Sequence, residues 1–409
     1  MAGGRLAAAA AVVVAVLVVP APAVARARAA CPSAEVPPAT ISAAAAKAVP
    51  YEDQLYDLAR LAPLATGAGI RVAVIDSGVD DGSRQLRGRV AKGRDFLRND
   101  DSSGRQDCVG HGTGVASIIA AVPVDGVGFH GLAPDAVIVP VRVSEGLDIG
   151  NGSQSGDSGS PAGLAKAITW AAGDGHAQVI NLSLSTVEDS PDVRTAVAGA
   201  VASGVVVVAA VGNHATEGNP TPYPAAYPDV IGVGAVGSDG LRASFSQHGS
   251  YLDLMAAGAK VTMAVPGSGL SVGDGTSFAA PFVAATAALV LQRFPGLTPA
   301  QVQRRLIATA DPAPGGRRSD DYGYGLLNPY RALTETLAPE KAAPAAAPVV
   351  HPQDPAVLAL RARRAQAQRR SLVAAGVGAG IVLLAGVLTV VLRRGRRRGW
   401  RPAASQPPG

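Results

Sequence analysis

Only two cysteines, Cys31 and Cys108, occur in 409 residues, and no second group of ligand-type side chains accompanies either, so nothing points to a thiolate metal site. Aromatic residues make up 4% of the chain while hydrophobic residues reach 48%, which describes an alanine- and valine-rich sequence. Part of that excess lies in two terminal segments. No internal repeat is apparent. The formal charge of +5 does not mark a nucleic-acid binder. The arginines crowd into residues 361–370 and 393–401, where they flank an apolar segment and suit a membrane surface. Acidic stretches occur at Asp80-Asp81 and Asn99-Asp100-Asp101, yet neither has the ligand spacing of a calcium loop. No metal or other cofactor is expected, and structural calcium stays open.

Against these absences stand three short motifs. Residues 72–79, Val-Ala-Val-Ile-Asp-Ser-Gly-Val, form a β-branched run that closes on Asp76. Residues 110–116, Gly-His-Gly-Thr-Gly-Val-Ala, set His111 among glycines that allow close approach at a helix start. Residues 275–281, Gly-Thr-Ser-Phe-Ala-Ala-Pro, set Ser277 just ahead of an apolar run. Alone, a strand ending in Asp-Ser-Gly or a Thr/Ser helix cap is ordinary. Together they supply the parts of a nucleophilic serine: a hydroxyl, an imidazole to take its proton, and a carboxylate to fix and stabilise that imidazole. The chain order Asp, His, Ser is that of subtilisin.

A fourth segment fits the same reading. Residues 205–213 read as a buried parallel strand ending in Gly212-Asn213. Here the chain resembles the subtilases. The resemblance implies that Asn213 donates its side-chain amide to the oxyanion, beside the Ser277 backbone N–H. It covers about residues 67–335. It includes Ser183, Leu184 and Ser185, which look like the end of the family's substrate-binding strand, where an extended peptide adds by backbone pairing. Residues 323–329 resemble the family's C-terminal close, with Asn328 where Asp is commoner.

The expected fold is α/β, a subtilisin-like parallel β-sheet with helices on both faces, plus a C-terminal transmembrane helix. Strands at 71–75, 137–143, 179–184, 205–210 and 230–236 alternate with helices at 163–172, 192–203 and 278–294. Catalytic groups then gather at the carboxyl ends of the strands. Residues 150–160, rich in Gly and Ser, read as a surface loop.

The ends suggest export and anchoring. Residues 1–30 have the charge pattern, apolar core and small-residue sites of a signal peptide, cut after Ala23, Ala25 or Ala30. Residues 31–66 form an N-terminal extension, 67–335 the peptidase domain and 336–370 a Pro/Ala-rich and basic linker. Residues 371–392 are an uncharged stretch of spanning length, and 393–409 a basic cytoplasmic tail. The catalytic domain then faces outside. In an exported chain Cys31 and Cys108 are most simply a disulfide. This pair, the anchor and the short extension make the chain similar to the mycosins, membrane-anchored subtilases of type VII secretion systems. That likeness implies an extension wrapped on the catalytic domain and a secretion membrane complex as partner, beside protein or peptide substrates. Two other roles remain open: a general housekeeping subtilase, and a structural clamp of the secretion complex.

Overall fold

A computed structural model describes residues 40–98, 103–148, 154–155, 159–314, 316, 318–337, 390 and 392–394. The described residues from 40 to 337 belong to one compact unit, and residues 390 and 392–394 to another. The expected signal peptide, Cys31 and the linker from residue 338 onward lie outside the described residues. So does the apolar stretch 371–392, apart from Val390 and Leu392. Among the described residues no helix is long and apolar enough to cross a membrane.

The chain runs through α1 (Tyr51–Leu55), α2 (Leu58–Leu61), β1 (Arg71–Asp76), β2 (Arg94–Asp95), α3 (His111–Ala120) and β3 (Val137–Arg142). A short pair follows, β4 (Leu147–Asp148) and β5 (Gln154–Ser155), then α4 (Pro161–Ala172), β6 (Val179–Leu182), α5 (Pro191–Ala202), β7 (Val206–Ala210) and β8 (Val230–Val236). The last elements are β9 (Leu254–Ala257), β10 (Val261–Ala264), β11 (Leu270–Gly273), α6 (Thr276–Arg293), α7 (Pro299–Ala308) and α8 (Pro329–Thr334).

Seven strands form one parallel sheet in the order β2-β3-β1-β6-β7-β8-β9. Along β1, Val72 and Val74 pack with α3 and α6 on one face, while Ala73 and Ile75 pack with α4 and α5 on the other. Strands covered on both faces need apolar side chains at every position, which is why the sequence shows continuous runs rather than alternation. Helix α6 is buried almost throughout as far as Val290, and its alanines let it lie close to the sheet.

Boundaries differ from the sequence reading for local reasons. Helices α4 and α5 begin before the apolar periodicity does, because Ser160 and Ser190 accept from the N–H groups of Gly163 and Val193, with proline at the first helical position. Strand β6 stops at Leu182 because Ser183 turns to bond the Ser277 carbonyl at 2.6 Å. The stretch expected as a loop at 150–160 contains a short strand, β5, which pairs antiparallel with β4. Asn328 caps α8 through Arg331 N and donates to both carboxylate oxygens of Asp311 at 3.0 and 2.9 Å. An aspartate there would instead set two carboxylates face to face.

The extension is docked along its described length. Thr40 N donates to Leu270 O at 3.0 Å, Tyr51 Oη to Ala259 O at 2.7 Å, and Thr262 N to Glu52 Oε1 at 2.7 Å. Tyr56 packs its ring 4.9 Å from that of Phe282 and accepts from Ala257 N at 2.9 Å. Two acids are buried in this interface. Burial is the main cause pushing the Asp53 carboxyl up to about 8, opposed by the His130 N–H and reinforced by Glu52. The docked form therefore holds a proton that a released extension, titrating near the ordinary carboxylate value, gives up. The sign follows: docking is favoured at low pH and weakens as pH rises from about 4 through about 8. Limited proteolysis of the extension should accelerate between pH 5 and pH 8.5, and Asp53→Asn should flatten that dependence.

Candidate active site

The carboxyl ends of the parallel strands bring the motif residues together. Asp76 ends β1, and its Oδ1 accepts from Ser77 N at 2.7 Å and lies 2.8 Å from His111 Nδ1. A carboxylate partner favours the proton on Nδ1 and leaves Nε2 unprotonated in the neutral ring. His111 opens α3. Burial disfavours its charged form, but the Asp76 charge and hydrogen bond, with a smaller contribution from Asp107, outweigh this and raise its pKa. The Phe278 ring, in the first turn of α6 and next to Ser277 in the chain, lies 5.3 Å from the imidazole.

Gly275, the residue before α6, marks where Ser277 and Asn213 converge. A Cβ there would meet Ser277 Oγ at 2.9 Å and Asn213 Nδ2 at 3.4 Å, so only glycine leaves that spot open to a substrate. Asn213 is held by its other amide atom: Oδ1 accepts from Thr276 N at 2.9 Å and Thr276 Oγ1 at 3.0 Å. Its Nδ2 is thereby aimed in the direction of Ser277.

Asp107, Ser77 and Thr113 complete the arrangement, and sequence reasoning missed all three. Asp107 Oδ1 accepts from Ser77 Oγ, Val109 N and Gly110 N, and its Oδ2 from Thr113 N and Thr113 Oγ1, all within 2.6–3.1 Å. Ser77 Oγ accepts in turn from Gly112 N at 2.9 Å. One buried carboxylate thus ties the residue after Asp76 to both sides of His111. Burial pushes the Asp107 carboxyl up, against the pull of Thr113 and Gly110. The five donors around it oppose that shift, since each favours the charged form. The spacing of an Asp four residues before the histidine was the available signal.

Residues 67–325 match the Subtilase family of peptidases. The chain belongs to the subtilase family. It is 41% identical over 265 residues to subtilisin E of Bacillus subtilis, covering 64% of this chain and 65% of that protein's length. It is 37% identical over 346 residues to mycosin-1 of Mycobacterium tuberculosis, covering 73% of this chain and 75% of that one. Among solved structures, MycP1, described as a serine protease and an essential component of the type VII (ESX-1) secretion system, superposes with a TM-score of 0.62 at 34% identity. That likeness covers 75% of this chain and 98% of MycP1.

In this subtilase the three residues expected on the substrate strand take different places. Ser183 is buried and faces α6, donating to Ser277 O and accepting from Asn181 Nδ2. Leu184 and Ser185 line a cleft of about 480 Å³, together with Leu164, Val193, Tyr223 and Tyr227. Cys108 is buried beside Arg142, whose guanidinium bonds Asp95 and Glu145 and approaches the Cys108 sulfur at 3.7 Å. The described residues contain no free thiol, and Cys31 lies outside them. Among the described residues no three His, Cys, Asp or Glu side chains cluster as metal ligands. Asp80 accepts from Gly82 N and Gly267 N, Asp81 pairs with Arg105, and Asn99-Asp100-Asp101 lie outside the described residues.

Removing the Asp107 charge should lower the His111 pKa, because an anion near an imidazole favours its charged form. Asp107→Asn is therefore expected to move the rising limb of the kcat/KM–pH profile to lower pH. It should also lower its plateau by about tenfold or more, since stranded buried donors cost about 1–3 kcal/mol and loosen the loop carrying His111. A pH–rate profile on a peptide substrate checks both.

Proposed function

We propose that this chain is a membrane-anchored, extracytoplasmic serine endopeptidase that cleaves peptide bonds through an acyl-enzyme, serving a type VII secretion system as a mycosin. The observation that supports the peptidase reading is the Asp76–His111 hydrogen bond, with Phe278, the residue after Ser277, packed against the His111 ring and Gly275 flanked by Ser277 Oγ and Asn213 Nδ2.

The reaction follows from the roles of these atoms. His111 Nε2 takes the Ser277 proton as Oγ attacks the peptide carbonyl, and Asp76 stabilises the imidazolium that forms. Negative charge gathers on the carbonyl oxygen, where Asn213 Nδ2 and the Ser277 N–H, at the positive end of α6, receive it. His111 then gives its proton to the leaving amine, the C–N bond breaks, and a water activated by the same base releases the acid. Base, nucleophile and electrostatic donors are all protein groups, so the chemistry asks for no cofactor. The peptide lies along residues 183–185, adding as a strand beside them.

Two features support the mycosin assignment within the family. The extension is folded onto the catalytic unit, and the similarity to mycosin-1 reaches beyond the segment shared with subtilisin E. The signal peptide, the 371–392 span and a Cys31–Cys108 disulfide closing the extension belong to this proposal, with residues 393–409 cytoplasmic.

Ser277→Ala should abolish peptide hydrolysis and labelling by serine-directed phosphonates, with a loss in kcat of about 10⁶, while leaving the melting temperature unchanged. Asn213→Ala should retain labelling but lose about 10²–10³ in kcat. Labelling that persists in Ser277→Ala would overturn the assignment. For topology, protease added to intact spheroplasts should shed the catalytic domain and leave the C-terminal tail protected.

A further inference from the structure

The docked extension is joined to the segment that carries the serine through a single turn, the one between β9 and β10. Three of its side chains grip the chain on and around that turn. Tyr56 Oη accepts from Ala257 N at 2.9 Å, Tyr51 Oη donates to Ala259 O at 2.7 Å, and Glu52 Oε1 accepts from Thr262 N at 2.7 Å. Burial, and then the neighbouring carboxyls of Glu52, Asp274 and Asp239, push the Tyr51 hydroxyl up, which keeps its proton on the bond to Ala259.

The same turn holds the residues just ahead of Ser277. Gly275 N donates to Gly258 O at 2.8 Å, and Lys260 N donates to Asp274 Oδ1 at 2.9 Å. A Cβ on Gly258 would fall 2.5 Å from Ala235 Cβ and 3.0 Å from Gly275 O, so the turn is wedged between the end of β8 and the start of α6. Lys260 has φ +57°, a left-handed conformation that is unfavourable for a residue with a side chain, so bonds from outside the turn are needed to keep its shape. Strand β10, which Glu52 holds, also pairs with β11 as far as Val261 opposite Gly273, two residues short of Gly275. Gly275 is in turn flanked by Ser277 Oγ and Asn213 Nδ2. No described residue of the extension lines the cleft beside Leu184 and Ser185, so its bonds brace the site without filling the cleft.

We infer that Tyr51 is a positioning residue for the reaction: by holding the 258–260 turn against Gly275 it sets where Ser277 Oγ stands relative to Asn213 Nδ2, so that the docked extension raises turnover. The inference rests on the peptidase reading of the site. A misplacement of about 1 Å that originates far from the reacting atoms can lower a rate by about 10²-fold, so slack passed from an untied turn to Gly275 is read in kcat. A loss confined to alignment of the reacting atoms lowers kcat and leaves KM in place.

The test uses the full-length protein in detergent, a fluorogenic peptide, and a peptidyl phosphonate that counts active serines. Tyr51→Phe, which loses only the hydroxyl, should lower kcat per labelled serine by about tenfold and keep KM within about twofold. Gln54→Ala, which cuts a bond to Val49 O inside the extension, should change neither. In an Asn213→Ala background the Tyr51→Phe change should lower kcat by less than about threefold, because the alignment it serves is already gone. Asp274→Ala, at an exposed position, cuts the turn's tie to residue 274 and should lower kcat in the same direction, and it carries the test alone if Tyr51→Phe does not fold. An unchanged kcat, a rise in KM that matches the loss, an equal loss in Gln54→Ala, or an undiminished effect in the Asn213→Ala background overturns the positioning role while leaving the peptidase intact. If the wild type neither hydrolyses the peptide nor takes the reagent at Ser277, the peptidase reading itself has failed.

Discussion

One buried carboxylate, Asp107, must be given hydrogen-bond donors, and that requirement organises the edge of the sheet where Asp76 and His111 meet. A desolvated anion is tolerated only where N–H and O–H groups surround it. Asp107 draws its donors from Ser77 and from residues 109, 110 and 113, so satisfying it pulls the end of β1 and the start of α3 together. The Asp76–His111 contact is a by-product of that closure, and the raised pKa of His111 is its electrostatic trace. The serine arrives from the other direction. It is carried by α6, whose small-residue surface presses against the sheet and brings its first turn to the same edge.

The α/β architecture and the residues that meet at this edge were legible because their signals are local. Continuous apolar runs give the strands, and the three motifs carry their neighbours with them. What was not legible depended on contacts across the chain. Strand β9 reads Leu-Met-Ala-Ala, with no β-branched residue to mark it, and becomes a strand only because β8 offers an edge. The reach of Ser183 toward Ser277 spans 94 positions, so the early end of β6 could not be seen from its own residues. Asp107 stood in view, but an acid near a histidine has many meanings until its five donors are known.

Asn213 illustrates how a mobile amide is turned into a directed donor. Thr276 occupies the oxygen of that amide with both its N–H and its hydroxyl, and Gly212 N donates to the same hydroxyl at 3.0 Å. The nitrogen is left facing the serine with little freedom to reorient. Electrostatic stabilisation of a transition state depends on this kind of prior alignment, because dipoles that need not reorganise during the reaction cost nothing when charge appears.

The docked extension has a kinetic side. Its bonds from Tyr51, Glu52 and Tyr56 join residues 208, 210 and 201 positions apart in the chain. Loops of that length close late in folding, after the local βαβ units have formed, because their entropy must be met before any contact rewards it. Contacts made after the rate-limiting step leave the folding rate nearly untouched and slow the reverse reaction instead. The extension thus acts as a latch on the finished domain. A latch of that kind works by slowing the loss of the native state.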